Sequence, residues 1–396
     1  MTVAQLRGTF GVRLLFDPRV QRSALFLLLA IALVFRFGQF LVFSTQIQWG
    51  YDFSAYWQAG RNLLDGEPIY SVAQLAGPYP PQQQYLYLYP PFLAVLAAPL
   101  AALFDDYRLA VWAWTAIGFV AAIATVVAVG RREGLITDRG RLALLVGGAF
   151  TIPAVIAELV MGNVHLILLG LFAAAWLGLR HGGRSGEVVA GAAIGAATLI
   201  KVFPGLLIVW LVLAGRWRAA AVSVAAIGLL TLATLPFTGL EPWLQYPQVL
   251  ANLSEPSSTT DALAPTTWLS PVLGFMAARV LVTVAALAVL AWSVRRQAEA
   301  VSFAVAVMTS VLIAPALYHH YLAIAVLPFL LALAHARPRW WLALAYGGLL
   351  GGKQPGLGDL MWILNRALPT IGALTLFLGL LVTGRRRCDS PAEPTP

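Results

Sequence analysis

Residues 23–61 read SALFLLLAIALVFRFGQFLVFSTQIQWGYDFSAYWQAGR, an apolar run followed by a polar stretch rich in aromatic residues. The run from Ser23 to Phe43 has the length that a helix needs to cross a bilayer. No small-residue cleavage site follows it, so the sequence predicts a retained first membrane helix and not a signal peptide. The pattern indicates a membrane protein whose first spanning helix leads into a segment at the membrane surface.

The composition extends this interpretation to the whole chain. Of the 396 residues, 60% are hydrophobic and 11% are charged, whereas soluble domains have about 25% charged residues. Long apolar runs separated by short arginine-bearing loops indicate a polytopic all-α membrane protein. The net charge of +9 is explained by arginines at cytoplasmic helix ends and does not indicate nucleic-acid binding. The single cysteine, Cys388, excludes an intramolecular disulfide.

Residues 52–64 are predicted to form an amphipathic helix on the membrane surface, because their large apolar side chains recur at helical spacing. Asp52 is the carboxylate that opens this helix. One interpretation makes it a helix cap, since aspartate accepts free backbone N–H groups well. The other makes it a general base at the membrane boundary, where partial burial can tune a carboxylate.

The predicted architecture is one integral membrane domain with about 12 spanning helices. It has a first outer loop at 44–106, a second at 237–270 and a cytoplasmic tail at 385–396. The apolar segment 92–104 is short against the roughly 20 residues of a span, so it is predicted to dip into the membrane without crossing. The spans are predicted at 23–43, 107–129, 142–157, 163–179, 188–200, 204–214, 219–236, 271–293, 298–316, 321–334, 340–351 and 360–383.

This arrangement places the arginine-rich loops and both termini on the inner side, as positively charged loops prefer. Seven of the 26 basic residues do not follow the rule. They are Arg36, Arg61, Arg108, Lys201, Arg279, Lys353 and Arg366.

Polar side chains recur at the outer ends of the predicted helices. Ionisable residues at membrane depth are costly and usually serve a site. Gathered at one face, they would form a cavity suited to removing a proton from a hydroxyl, with cations holding a phosphate leaving group. The candidates are Asp52, Arg61, Glu67, Tyr89, Glu158, Asn163, His165, Lys201, His319 and His320.

Simpler roles are open for several of these residues. Lys201 can snorkel to lipid headgroups, and Arg61 can pair with Asp65 one helical turn away. His319 and His320 point about 100° apart on a helix, so at most one is expected to face a substrate.

Two further candidates, Asn163 and His165, can serve as interhelical contacts only. The sequence contains no HExxH motif, no DxD run and no glycine-rich phosphate loop. Therefore no metal and no cofactor is predicted.

Short motifs are spread through most of the chain in order. They are Tyr51-Asp52-Phe53, Tyr56-Trp57-Gln58-Ala59-Gly60, Leu64-Asp65-Gly66, Pro68-Ile69-Tyr70, Tyr89-Pro90-Pro91-Phe92, Gly162-Asn163-Val164, Lys201-Val202-Phe203-Pro204 and the segment from Pro315 to Tyr321. With an acid soon after the first helix and a long first outer loop, the chain resembles glycosyltransferase family 87, of the GT-C type.

The resemblance implies inverting transfer of a hexose, above all mannose, from a polyprenyl-phosphate donor to a hydroxyl of a glycolipid or cell-envelope glycan. The reaction would take place at the outer face of a bacterial plasma membrane. The resemblance places the catalytic acid at Asp52 and a functional histidine in the His319–His320 pair.

The other candidates take supporting roles in this interpretation. Lys201 and Arg61 would hold the lipid phosphate. Tyr56, Trp57 and Tyr89 would stack on sugar or line the prenyl groove. Four residues would line the cavity or contact the acceptor: Glu67, Glu158, Asn163 and His165. A secondary transporter and a lipid-linked glycan ligase are the alternatives, since broken helices with charged residues also occur in transporters.

Overall fold

The computed structural model describes residues 17–46, 49–77, 86–252, 263–314, 317–352 and 363–383. These residues form helices joined by short connections, with no β-strand among them. In chain order the helices are α1 (Pro18–Ser44), α2 (Tyr51–Asp65), α3 (Val72–Ala76), α4 (Pro91–Leu103), α5 (Tyr107–Arg132), α6 (Arg139–Thr151), α7 (Pro153–Met161), α8 (His165–His181), α9 (Gly183–Ile200), α10 (Leu206–Leu213), α11 (Trp217–Thr238), α12 (Glu241–Asn252), α13 (Pro265–Leu273), α14 (Phe275–Arg296), α15 (Glu299–Leu312), α16 (Val326–His335), α17 (Trp340–Leu349) and α18 (Leu368–Thr383). Two 3₁₀ segments, Phe203–Gly205 and His319–Ala325, lead into α10 and α16, and a π-helical turn, Ile363–Ala367, leads into α18.

Five helical segments within the described residues are long and apolar enough to cross a membrane: α1, α5, α11, α14 and Asn365–Thr383. The pair α6–α7 adds a sixth if it counts as one bent span. The prediction of an all-α membrane protein is therefore confirmed. The predicted count of 12 spans is not confirmed. The other apolar helices among the described residues have only 10–17 residues, short of the roughly 20 that a span needs.

The outward faces of α1, α11 and α14 are apolar. Leu28 on α1 is 64% exposed, Leu229 on α11 is 68% exposed and Val284 on α14 is 58% exposed. Soluble monomers rarely expose continuous apolar faces of this kind, whereas lipid-facing helices do. By contrast, every residue of α15 from Ala300 to Val311 is buried, so α15 lies in the centre of the bundle.

The helix predicted at 142–157 is not continuous, because the chain bends by 62° between α6 and α7. Pro153 opens α7, and a proline has no N–H and disfavours helical geometry in the residue before it. The break frees the carbonyl of Thr151, which accepts a hydrogen bond from buried Arg36 Nε at 3.1 Å. A second guanidinium nitrogen of Arg36 donates to the Leu350 carbonyl, just after α17. Two helix C-termini, each carrying partial negative charge, therefore stabilise this buried cation.

The two predicted outer loops pack against each other. The second, 237–270, contains the last residues of α11, then α12 and the start of α13, and its residues 253–262 lie outside the described part. Asn252 Nδ2 donates to the Gln74 carbonyl in α3 at 2.9 Å, and the Tyr246 ring stacks on the Tyr70 ring at 6.4 Å. The predicted tail 385–396 also lies outside the described residues, and the membrane side of each loop stays a prediction.

Candidate active site

The break between α7 and α8 carries three of the predicted site residues. Gly162 adopts a left-handed conformation with φ of +66°, which ends α7, and its N–H donates to the Glu158 carbonyl. Asn163 Oδ1 accepts from Val164 N at 2.7 Å, and Glu158 Oε1 accepts from His165 N at 2.5 Å. Side chains at the break thus satisfy the free N–H groups that open α8.

Helix α2 docks on this break through its first residues. Gly50 N donates to the Val160 carbonyl at 2.8 Å, and the Trp114 indole on α5 donates to the Gly162 carbonyl at 2.8 Å. A methyl group on Gly162 would lie 2.8 Å from Cβ of Phe53, so only glycine lets α2 approach this closely. The contact brings Asp52, in the first turn of α2, beside the start of α8.

The predicted helix 52–64 is confirmed as α2, but the capping interpretation of Asp52 is wrong. Gly50 is the N-cap residue and no side chain caps the helix. Asp52 Oδ2 instead accepts a hydrogen bond from Asn163 Nδ2 at 2.9 Å. The Asp52 side chain is 20% exposed, so it is largely buried yet open to a ligand from the surface.

The structure separates the two histidines of the pair. His320 Nε2 lies 3.8 Å from Asp52 Oδ2 and 3.4 Å from Asn163 Nδ2. His319 Nε2 lies 3.2 Å from the Gly351 carbonyl and does not take part in this cluster. The 3₁₀ geometry of the segment therefore directs one imidazole to the carboxylate and the other to the backbone.

Lys201 follows the end of α9 and points into the same cluster, not to the lipid surface. Its Nζ lies 2.9 Å from Tyr321 Oη, 3.1 Å from His165 Nε2 and 3.4 Å from Tyr89 Oη. The ammonium also lies 4.0 Å from the centre of the Tyr321 ring, within cation–π range. These contacts exclude the snorkelling interpretation for this side chain.

The electrostatics of the cluster favour proton transfer near neutral pH. Burial raises the pKa of Asp52 to about 6, against the lowering effects of the Asn163 hydrogen bond and the Lys201 charge. Burial lowers the pKa of Lys201 to about 7, against the raising effects of Asp52 and Glu158. A carboxylate and an ammonium with pKa values this close to 7 are typical of functional sites.

Glu158, His165 and His320 each offer a metal-ligand atom, and the three atoms lie within 4.8 Å of one another. Glu158 Oε2 and His165 Nδ1 are already paired at 3.0 Å. The Lys201 ammonium lies beside the other nitrogen of His165 and would repel a metal ion. The predicted absence of a metal stays a prediction.

The two aromatic candidates of α2, Tyr56 and Trp57, have different surroundings. The Tyr56 ring packs edge-on against the Tyr89 ring at 4.8 Å and is fully buried beside the cluster. Trp57 packs between Tyr107 and the Arg61 guanidinium instead.

Arg61 lies nine residues beyond Asp52, which is about 13 Å along the helix. It pairs with Asp105 at 3.6 Å and not with Asp65. Glu67 is exposed just beyond the end of α2. The structure therefore does not bring Trp57, Arg61 or Glu67 to the Asp52 cluster.

Two residues of the site were not among the sequence candidates. Tyr321 gives Lys201 its shortest hydrogen bond, and Trp114 fixes the Gly162 carbonyl. Tyr321 directly follows the His319–His320 pair, so its position in that motif was a usable signal. Trp114 lies within a spanning helix, and nothing in the sequence around it indicated a role in the site.

The fold and the site together define a polytopic α-helical membrane protein with a buried carboxylate–histidine–lysine cluster at the ends of several helices. The profile described as glycosyltransferase family 87 matches residues 87–317, more than half of the chain. The chain belongs to glycosyltransferase family 87, so the prediction of this family is confirmed. A comparison with curated proteins gives no match.

Proposed function

We propose that the protein transfers a hexose from a polyprenyl-phosphate donor to a hydroxyl group of a glycolipid or cell-envelope glycan, with inversion at the anomeric carbon. The family match supports sugar transfer over a secondary transporter. The apolar outer surfaces of α1, α11 and α14 suit a donor and an acceptor that both reside in a membrane. Mannose is the sugar that we propose, and the outer face of a bacterial plasma membrane is the proposed location.

The observation that carries the proposal is the environment of Asp52. This carboxylate is largely buried, is held by Asn163 at 2.9 Å and has a pKa raised to about 6. A general base works best when its pKa lies near the operating pH. The other carboxylate of the cluster, Glu158, is bound to His165 through both of its oxygens, which leaves Asp52 as the base.

The proposed step is a single displacement. Asp52 accepts the proton of the acceptor hydroxyl while the acceptor oxygen forms a bond to the anomeric carbon. The bond between that carbon and the phosphate oxygen breaks, and polyprenyl phosphate leaves with the electron pair. Direct attack inverts the anomeric carbon and needs no covalent nucleophile on the enzyme.

Lys201 is the cation that we assign to the leaving phosphate. It lies in the same cluster as Asp52, and its protonated form stabilises the negative charge that grows on the phosphate. His320 lies beside Asp52 and is positioned to orient it or to relay its proton. Tyr89 and Tyr56 form an aromatic wall next to these groups, of the kind that stacks on sugar faces.

The test is a transfer assay with purified protein, radiolabelled polyprenyl-phosphate sugars and membrane-lipid acceptors. Sugar nucleotides form a second donor panel, and lipid-linked oligosaccharides form a third. We expect transfer from the polyprenyl-phosphate monosaccharides only. Transfer from sugar nucleotides would overturn the donor assignment, and transfer of whole oligosaccharides would identify a glycan ligase.

Asp52→Asn supplies the test of the catalytic base. It keeps the size of the side chain but removes the proton acceptor, so transfer should fall by about 10²- to 10⁴-fold. Asp65→Asn, an exposed acid at the far end of α2, is the matched control and should transfer normally. Near-normal transfer by a folded Asp52→Asn protein would remove Asp52 from the mechanism.

A further inference from the structure

We propose that Glu158 and His165 are positioning residues that orient Lys201 toward the donor phosphate. This inference rests on the proposed role of Lys201 in sugar transfer. It gives Glu158 and His165 a different task from the cavity-lining role predicted from the sequence. Both act through Lys201, and neither contacts the substrate.

The three residues form a continuous chain of contacts. Glu158 Oε2 lies 3.0 Å from His165 Nδ1, and His165 Nε2 lies 3.1 Å from Lys201 Nζ. Glu158 is 1% exposed and His165 is fully buried. Lys201 is half-buried, so it is the member of the chain most open to a ligand.

In this proposal Glu158 is ionised, a form that the nearby Lys201 charge stabilises. An ionised carboxylate only accepts, so Nδ1 of His165 then carries the hydrogen that faces Glu158. In the neutral imidazole Nε2 is then an acceptor, which is the group that an ammonium needs. Glu158 thereby sets the tautomer of His165, and His165 presents a lone pair to Lys201.

The surroundings of Lys201 show why this lone pair matters. An ammonium has three hydrogens, and three acceptors face it: His165 Nε2, Tyr321 Oη and Tyr89 Oη. In the part of the chain that the structure describes, Lys201 makes no direct ion pair with a carboxylate. Its direction therefore depends on neutral acceptors. Two of them are held by further side chains, His165 by Glu158 and Tyr89 by Asn163, and His165 is the one that a carboxyl group holds.

Glu158→Gln tests this chain with little change of shape. The amide oxygen can still accept from His165 N, but the amide nitrogen then donates to Nδ1 and moves the imidazole hydrogen to Nε2. That hydrogen would face the Lys201 ammonium, donor against donor. We expect a loss of roughly 10- to 100-fold in kcat/KM for the donor, by analogy with the carboxylates that orient metal-bound histidines.

A double-mutant cycle separates positioning from a structural role. If Glu158 acts through Lys201, then Glu158→Gln should cost less than about twofold in a Lys201→Ala background, because the two effects are not additive. Equal losses in both backgrounds would overturn the proposal. Glu133→Gln is the matched control, since Glu133 is a buried carboxylate paired with a histidine outside the site, and its transfer rate should not change.

A second readout does not depend on sugar transfer. The sequence contains only two lysines, Lys201 and Lys353, so Lys353→Arg leaves one lysine whose ¹³Cε resonance can be followed by NMR as the pH is raised. The groups that face Lys201 are Asp52, Tyr89, Glu158, His165, His320 and Tyr321.

In the Lys353→Arg background, Glu158→Gln should shift the titration midpoint of Lys201 to lower pH, because it removes a negative charge that raises the Lys201 pKa. Glu133→Gln should leave the midpoint unchanged. An unmoved midpoint in Glu158→Gln would overturn the proposal even if the enzyme transfers sugar. A moved midpoint in a protein that transfers no sugar would reject the proposed function and retain the contact chain.

Discussion

At each end of helix α8 a glutamate with a buried side chain contacts a histidine, and the two pairs differ in where the neighbouring cation lies. At its N-terminus Glu158 binds His165, and at its C-terminus Glu133 binds His335 at 2.6 Å. The side chains of both glutamates are at most 2% exposed. His165 and Arg180 are 15 residues apart on α8, which is about 22 Å at 1.5 Å per residue.

We call the pair at Glu133 closed, because its carboxylate contacts its cation directly. Glu133 accepts from the Trp176 indole at 2.9 Å and pairs directly with Arg180 at 3.4 Å. Arg180 is 43% exposed, so solvent also compensates its charge, and His335 is 31% exposed. This arrangement joins the end of α5 to α8 and α16.

We call the pair at Glu158 open, because no cation contacts its carboxylate directly among the described residues. Its cation, Lys201, contacts the imidazole and not the carboxylate, and the contacts continue from Lys201 to Tyr89 and Tyr321. Asp52 and His320 lie in the same cluster. The two pairs therefore differ in where the cation lies. Arg180 contacts the carboxylate of its pair, whereas Lys201 contacts the imidazole and links the pair to further polar groups.

Replacing the two cations should give the largest difference between the ends. Lys201→Ala removes the charge assigned to the leaving phosphate, so kcat/KM should fall by about 10²- to 10³-fold. Arg180→Ala removes a cation that only compensates Glu133, so transfer should not change. Steady-state kinetics on both purified variants is the measurement, and equal losses would contradict the distinction. Lys201→Arg should keep part of the activity, because the charge survives while the geometry changes.

The pH dependence of kcat/KM should be determined by groups at the Glu158 end of α8 and not by those at the Glu133 end. Asp52 acts as a deprotonated base, so activity should rise as the pH passes about 6, and Lys201 acts as a protonated cation, so activity should fall above about 7. Each limb changes activity about tenfold per pH unit. Lys201→Arg should lose the alkaline limb and keep the acidic one, since arginine stays charged. An alkaline limb that persists in Lys201→Arg would assign it to another group.

A glycine at each end offers a comparison of stability. Gly162→Ala places a side chain at φ of +66° and 2.8 Å from Phe53, so it should cost about 2–4 kcal/mol and lower transfer as Asp52 shifts. Gly134→Ala, next to Glu133, meets the same positive φ but open space, so it should cost only about 1–2 kcal/mol and leave transfer unchanged. Equilibrium unfolding in detergent measures both, and equal costs would show that the contact between α2 and Gly162 is not tight.

These differences also show what the sequence could predict. Helix α2 was placed within one residue at each end, because its apolar side chains repeat with the helical period. Of the two interpretations of Asp52, the cap is wrong, because Gly50 caps α2 and its position is set by its contact with Val160 on another helix. Likewise the partner of Arg61 is Asp105, 44 residues along the chain, and not the neighbouring Asp65.

For the candidate site too, the sequence indicated the residues but not their contacts. Residue type and position at helix ends indicated which side chains were worth considering, including Asp52, Glu158 and Lys201. Their contacts depend on how helix breaks at Pro153 and Gly162 orient the chain in three dimensions, and no periodicity encodes that. The direction of Lys201 was therefore open in the sequence and became clear only from Tyr321 and His165.

The smallest expected effect concerns the ring nitrogen that each histidine uses. His335 binds Glu133 through Nε2, the position that a glutamine amide nitrogen can reach, whereas asparagine reaches only the Nδ1 position. His335→Gln should therefore stay within about 0.5 kcal/mol of wild type, and His335→Asn should lose about 1 kcal/mol, the usual value of one hydrogen bond. His165 uses Nδ1 for Glu158 and Nε2 for Lys201, so neither amide can replace it, and both His165→Gln and His165→Asn should lower kcat/KM. Thermal unfolding and transfer rates of the four variants decide the matter, and full activity of either His165 variant would show that one contact is enough.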